Sequence, residues 1–277
     1  MARLKVGQEN TAPIEIHYED LGKGRPVVLI HGWPLSGASW EKQTQALLGA
    51  GFRVITYDRR GFGQSSQPSV GYDYDTFTAD LDRLMTALDL RDAALVGFSM
   101  GTGEVARYLS KHGSERVRRA VMIGVVPPFL LKTPDNPDGI EQSMFDGIQA
   151  SILADRPAFL KQFLANFYSS DTLLGKRLSE ELIQTSWNVA VGASAKGTHD
   201  CVKAWLTDFR EDLKRIDVRT LVIHGDDDRI LPIDKTGARI KEFVKGSRLA
   251  VIPGGPHGLL WTHAAEVNKE LLEFLAE

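Results

Sequence analysis

Short apolar runs recur along this chain and alternate with stretches whose apolar residues return every three or four positions. The runs fall at residues 14–18, 27–30, 54–57, 94–96, 120–125, 221–223 and 249–252. Runs this short and continuous predict strands buried on both faces, and their alternation with helical patterns predicts a mostly parallel sheet with helices on both faces. Phe77, Leu81, Leu84 and Leu88 stand at i, i+4, i+7 and i+11, one face of a helix with Asp73 or Asp75 near its start. Residues 102–112 predict another helix, closed by Gly113.

The rhythm fails after Val126. Pro127-Pro128 opens a stretch without a clear strand, in which residues 139–154, 157–168, 179–190 and 198–207 predict helices separated by Gly, Pro and Asp. The expected organisation is an α/β core domain formed by residues 1–126 and 216–277, interrupted by a helical cap over residues 127–215. Such a cap would roof the strand ends and keep water out of a site there. Its large side chains Phe129, Trp187 and Trp205, with Trp33 below them, are the candidate walls of an acyl or aromatic substrate pocket.

With 277 residues, 43% of them hydrophobic, the chain can bury a sizeable core in one catalytic unit. The net charge of −3 and the isolated basic pairs Arg59-Arg60 and Arg118-Arg119 argue against a nucleic-acid partner. No apolar run approaches the roughly 18 residues of a membrane span, and residues 1–10 lack a signal-peptide core, so a cytoplasmic protein without a membrane partner is expected. The single cysteine, Cys201, excludes an internal disulfide and reads as a packed thiol. No H-x-x-x-H or C-x-x-C spacing offers a metal site, and neither metal nor cofactor is expected. The turn Arg60-Gly61-Phe62-Gly63, with Asp58 and Ser65 beside it, lacks the G-x-x-x-x-G-K pattern of a phosphate loop and reads as a hydrogen-bonded turn.

The chemistry centres on Gly97-Phe98-Ser99-Met100-Gly101, which follows a strand and opens a helix. A serine on so sharp a turn takes a strained backbone, exposes its hydroxyl at the sheet edge, and needs glycine on either side where strand and helix approach. Ser99 is the candidate nucleophile. A serine hydroxyl needs a base, and the base needs an orienting acid. Residues 221–223 run into the acidic loop Asp226-Asp227-Asp228, and residues 249–252 into a glycine-rich loop carrying His257. Both loops lie past the carboxyl ends of strands, where ligands bind in open parallel sheets. Residues 27–30 lead to His31-Gly32-Trp33-Pro34, where the Trp33 N–H joins that of Met100 as a candidate oxyanion hole. His31 and His224, each before a glycine at a strand end, read as loop braces; His17, His112, His199 and His263 have no evident partners.

The runs His31-Gly32-Trp33-Pro34-Leu35, Tyr57 to Ser65, Gly97 to Tyr108 and Pro256 to His263 resemble the cofactor-free bacterial haloperoxidases, metal- and haem-free α/β-hydrolases whose near relatives include aryl esterases, perhydrolases and γ-lactamases. The resemblance spans essentially the whole chain. It implies that the acid is the last residue of H-G-x-x-D, here Asp228, and that Ser99, Asp228 and His257 form a catalytic triad. It implies substrates among small esters, carboxylic acids, hydrogen peroxide and lactams, and a homotrimer. Proline after the oxyanion-loop aromatic accompanies perhydrolysis in that group, and Pro34 fits. One departure is Arg219, where the group has proline before the strand. Dehalogenases and many epoxide hydrolases of this fold carry Asp at the elbow, so Ser99 speaks against both. Two other readings stay open: a γ-lactamase or other small-ester hydrolase without relevant perhydrolysis, and a ligand-binding module that keeps the fold without turnover.

Overall fold

A computed structural model describes residues 2–277. Eight strands, β1 (Ala2–Glu9), β2 (Ala12–Gly22), β3 (Pro26–Ile30), β4 (Arg53–Tyr57), β5 (Ala93–Phe98), β6 (Val117–Ile123), β7 (Arg219–Gly225) and β8 (Arg248–Ile252), form one sheet in the order β1-β2-β4-β3-β5-β6-β7-β8. The pairs β1·β2 and β2·β4 are antiparallel and all others parallel. The central strands β3, β4 and β5 are buried along their length apart from the half-buried Pro26 and Arg53 that open β3 and β4, as their largely apolar content requires. The first strand is absent from the sequence expectation because only Val6 of its residues is buried; its partner across the hairpin, not its own pattern, makes it a strand. Arg219 opens β7 in register with Arg119, so the departure from proline leaves the start of that strand regular.

The crossover helices are α1 (Glu41–Gly49), α2 (Tyr74–Ala87) and α3 (Met100–His112). Asp73 caps α2, its side chain accepting from the Thr76 N–H, and Phe77, Leu81 and Leu84 are buried as the spacing predicts. Gly113 ends α3 at φ 75°, where only glycine sits without strain.

Between β6 and β7 run α4 (Gln142–Phe167), α5 (Ser170–Leu173), α6 (Glu180–Gly192), α7 (Ala195–Ala204) and α8 (Arg210–Leu213), and after β8 come α9 (Leu259–Thr262) and α10 (Ala264–Ala276). The two helices expected at 139–154 and 157–168 are the two halves of α4, which meet at a kink where Asp155 leaves helical geometry (φ −156°, ψ 85°), because Pro157 removes a backbone donor and crowds the preceding turn. Ser179 caps α6 and Ser194 caps α7, the latter beginning three residues earlier than the apolar pattern suggests. Leu160, Leu164 and Val202 of this insertion are fully buried and belong to the same apolar cluster as Ile30 and Leu95, so the helices share one core with the sheet. Helices α1 and α10 pack on each other, as do α2 and α3, and each of the four also packs against strands of the sheet. Among the described residues no helix is long and apolar enough to cross a membrane.

A buried ion pair ties the strand ends together beneath the site. Arg59, just past β4, donates from Nε to Glu104 Oε2 of α3 at 2.8 Å and from Nη2 to the His31 carbonyl at 2.9 Å, while the Tyr57 hydroxyl donates to Glu104. Arg59 and Glu104 are essentially inaccessible, at 1% and 0% exposure, and the guanidinium also lies over the Phe77 ring at 5.1 Å. Removing one member strands the other charge out of water. Glu104→Leu is expected to cost about 3–5 kcal/mol of unfolding free energy and Glu104→Gln, which keeps an acceptor for Arg59, clearly less. Denaturant titration of the purified variants reads both, and an unchanged midpoint for Glu104→Leu would show that the pair does not brace the fold.

Candidate active site

Ser99 sits at φ 51° and ψ −120°, a conformation that costs a non-glycine residue on the order of 1–3 kcal/mol and is tolerated because its surroundings allow no other. The flanking glycines are steric necessities. A Cβ on Gly97 would stand 2.4 Å from the Gly101 carbonyl oxygen, and one on Gly101 would stand 2.3 Å from that of Ile30. The Ser99 N–H is fixed to the Ile123 carbonyl at 2.8 Å, and Thr102 closes the turn by donating from N and Oγ1 to the Ser99 carbonyl. Strand β5, helix α3 and the end of β6 therefore converge to present one hydroxyl.

His257 Nε2 lies 2.8 Å from Ser99 Oγ, and His257 Nδ1 lies 2.7 Å from Asp228 Oδ2. Asp228 Oδ1 accepts from the N–H groups of Ile230 and Leu231 at 2.9 and 2.8 Å, which aims the second oxygen at the imidazole. Burial by itself would raise the Asp228 carboxyl, but attraction to His257 and hydrogen bonds from His224 and His257 outweigh it and hold the group well below the usual carboxylate range. The anion thus persists through neutral and mildly acidic pH. The adjacent aspartates point elsewhere. Asp226 accepts from the Gly254 N–H at 2.6 Å, and Asp227 faces Ser169 and Arg229.

Two histidines read from sequence as loop braces do more specific work. Nδ1 of His224 faces the Val125 N–H at 3.3 Å, so Nε2 carries the proton, and it stands 2.9 Å from the Leu231 carbonyl and 3.2 Å from Asp228 Oδ2. His224 is thus a second donor to the acid. The H-G-x-x-D pattern, which sets it four residues before Asp228 on a strand leaving for the same loop, was the only signal for this. His31 is pushed well below the usual imidazole range by burial and by the Arg59 charge, and stays neutral. Its Nε2 accepts from the Arg59 N–H at 3.0 Å and its Nδ1 donates to the Gly32 carbonyl at 2.8 Å, fixing the loop that carries Trp33. Arg59 and Glu104 had no sequence signal, because what pairs them is the meeting of β4 with α3.

Among the described residues the N–H groups of Trp33 and Met100 donate to no backbone group in the loops and turns; Met100 directly follows Ser99, and a Cβ on Gly32, the residue before Trp33, would stand 2.9 Å from the Ser99 Cβ. The Trp33 indole donates to the Thr198 carbonyl at 3.2 Å and packs against Trp205 (4.9 Å), Phe163 (5.0 Å) and Phe159 (6.4 Å between ring centroids). Trp33 and Trp205 therefore meet as the sequence suggests, within a cluster whose two phenylalanines sequence did not single out. Phe129 and Trp187 do not join it. Phe129 lies under the Arg210 guanidinium and borders a small hollow with Pro232 and Arg239, and Trp187 spends its indole N–H on the Pro157 carbonyl at 3.0 Å, bracing the kink in α4. Among the described residues no group of three or more His, Cys, Asp or Glu side chains is placed to hold a metal ion. Cys201 is fully buried, and burial raises its thiol far above the ordinary range.

A family model described as the alpha/beta hydrolase fold matches residues 25–264. A Synechocystis sp. protein named, provisionally, as a non-heme chloroperoxidase is 66% identical over 99% of this chain and 100% of its own length. A bifunctional esterase/perhydrolase of Acinetobacter calcoaceticus is 37% identical over 95% of this chain and 96% of its own. The crystal structure of a bromoperoxidase from Bacillus anthracis superposes with a TM-score of 0.96 at 50% identity, covering 100% of this chain and 99% of the other. The strand order, the serine turn between β5 and α3, the acid after β7, the histidine after β8 and these matches along nearly the whole length agree: the chain belongs to the α/β-hydrolase family.

Proposed function

We propose that the protein is a serine hydrolase that forms an acyl-enzyme on Ser99 and passes the acyl group to water or to hydrogen peroxide. The observation that carries this reading is the buried, continuous hydrogen-bonded chain Ser99–His257–Asp228. His257 takes the Ser99 proton as the hydroxyl attacks an ester carbonyl, Asp228 stabilises the imidazolium, and the Trp33 and Met100 N–H groups hold the oxyanion. His257 then returns the proton to the leaving alcohol. In the second half, water gives the carboxylic acid, and hydrogen peroxide gives a peracid. The peracid oxidises bromide or chloride in solution to the hypohalous acid and reverts to the carboxylic acid, so halogenation needs neither haem nor metal at the site. The names carried by its relatives, non-heme chloroperoxidase and esterase/perhydrolase, support this pair of activities. The same acyl chemistry opens small lactams, which extends the reading to γ-lactamase substrates. The family resemblance also favours a homotrimer, which light scattering would test.

Ser99→Ala is expected to lose nearly all ester turnover while remaining folded, retaining only the roughly 10³- to 10⁴-fold advantage over water that oxyanion donors and binding give in comparable systems. A fluorophosphonate should label the parent stoichiometrically and the variant not at all. Parental turnover by unlabelled variant would reject the nucleophile, and labelling without turnover on activated esters would favour a binding module.

The three aspartates separate by function. Asp228→Asn should lower kcat by about 10⁴-fold, because an amide facing His257 Nδ1 selects the tautomer with Nε2 protonated, which cannot take the serine proton, as in other triads. Asp226→Asn and Asp227→Asn, which disturb only the Gly254 turn and the Ser169–Arg229 contacts, should cost less than tenfold. Steady-state kinetics on one activated ester ranks all three.

For halogenation, peroxide and bromide alone should be insufficient, because a carboxylic acid or ester must acylate Ser99. Bromination of a phenolic dye is expected in acetate, rising toward mildly acidic pH where more acetic acid is protonated while Asp228 remains ionised. It should be absent in carboxylate-free phosphate, abolished by Ser99→Ala and unchanged by chelators. Undiminished bromination in carboxylate-free, ester-free buffer would exclude the peracid route.

A further inference from the structure

Between the helical insertion and the core lies a cavity of about 330 Å³ whose walls are not those of the Trp33 cluster. Leu35, Phe98, Phe167, Leu182, Val189 and Leu260 make it largely apolar. None of Trp33, Trp205, Phe159 or Phe163 lines it. Its position relative to the reaction is defined by two landmarks. Leu35 lies two residues beyond Trp33 on the oxyanion loop, and Gly258 adjoins His257 on the opposite loop. Phe98 and Phe167 belong both to the cavity wall and to the shell around the His257 imidazole, with ring centroids 5.2 and 5.1 Å from it. Gly258 has no side chain because the Tyr168 ring occupies the space: a Cβ there would stand 2.3 Å from it. Tyr168 in turn meets Ser186 Oγ at 2.8 Å, fastening the end of α4 to α6 along the same wall.

The two apolar surfaces share no residue, one built on Trp33 of the oxyanion loop and the other on the rings packed around His257, and the chemistry distinguishes them. In acyl transfer the carbonyl oxygen must face the oxyanion donors, whereas the leaving oxygen must lie within reach of the proton on His257 Nε2. A leaving group consequently departs along the flank of His257. We propose that this cavity is the leaving-group site: it takes the alcohol portion of an ester, while the acyl portion lies against Trp33, Trp205, Phe159 and Phe163. This assignment rests on the serine-hydrolase reading and adds to it a division of the substrate. An engineered apolar cavity of about 150 Å³ holds benzene, so the available space suits a two-ring or branched alcohol. The class is uncharged. The lining offers no cationic side chain to pair a buried anion, and its two charged members, Glu41 and Glu181, are exposed carboxylates that repel one; Lys42 sits over the Trp261 ring at 4.4 Å, outside the lining. Neither Ser99 nor His257 is part of the wall itself; Phe98 and Phe167, edge to face at 6.0 Å, stand between His257 and the cavity, and in this proposal they yield to the entering alcohol.

The experiment compares two ester series by kcat/KM, which reports acylation and so remains sensitive to the alcohol even where deacylation limits kcat. One series varies the alcohol at constant acid (methyl, benzyl and 2-naphthylmethyl acetates), and the other varies the acid at constant alcohol (methyl acetate, phenylacetate and 2-naphthylacetate). Val189→Trp, which fills the cavity from a half-buried position on α6, should lower kcat/KM for the two bulky acetates at least tenfold and leave all three methyl esters within twofold. Leu182→Ala, which enlarges the cavity from the same helix, should shift selectivity toward the naphthylmethyl ester. Equal losses in both series, a loss confined to the acid series, or no change in either would overturn the assignment. A turnover-independent arm measures 2-naphthalenemethanol binding to the parent protein by calorimetry, where Val189→Trp should weaken it at least tenfold and an unchanged affinity would again overturn the proposal. Absence of Ser99 labelling by fluorophosphonate in the parent would instead reject the hydrolase reading, a result separate from any of these.

Discussion

The constraint on which the rest depends is the backbone of Ser99. Holding a non-glycine residue at φ 51° requires that strand β5, helix α3 and the end of β6 leave it no alternative, and the approach is so close that neither Gly97 nor Gly101 could carry a Cβ. The strain is offset by the packing of a buried parallel sheet on one side and a helix fixed by Tyr57, Arg59 and Glu104 on the other. The consequence is functional. The same turn that exposes the hydroxyl leaves the Met100 N–H, at the positive end of a helix, free of a backbone partner beside it.

Around that turn the protein buries charges only where it can neutralise them. Asp228 is surrounded by two histidines and two backbone N–H groups, so its anion is favoured despite burial, and a persistent anion is what an imidazole acting as a base needs behind it. His31 is kept neutral by the opposite arrangement, burial next to the Arg59 guanidinium, and can therefore hold a loop by one donor and one acceptor at once. Two buried imidazoles near one site thus serve different ends because their neighbours carry opposite charge.

The helical insertion behaves as part of the core. Its α4 supplies Phe163 to the Trp33 ring and Phe167 to the His257 ring, so one helix contributes to both aromatic groupings. The bend at Asp155, held by Ala158 N–H on its carboxylate and braced by Trp187 on the Pro157 carbonyl, sets the course of that helix.

The sequence by itself determined the architecture and the chemistry at the strand ends. Continuous apolar runs in alternation with helical spacing admit little but a covered parallel sheet, and a serine between glycines at a strand-to-helix junction carries its own geometric meaning because only that turn demands those residues. Ser99, Asp228 and His257 were legible because each follows a strand, and strand ends converge in a parallel sheet. The antiparallel β1 was not legible, since its one buried side chain carries no pattern. Nor were the roles of large aromatic residues: Phe129 and Trp187 have the composition of pocket walls but are spent on Arg210 and on a helix bend, while Phe159, Phe163 and Phe167 acquire their places only when α4 brings them against Trp33 and His257. His224 as a second donor to Asp228, and Arg59 with Glu104, likewise depend on contacts between elements remote in sequence. Local pattern specifies which backbone a segment adopts; which side chains then share a buried space is decided by packing between segments, and only the tertiary structure contains it.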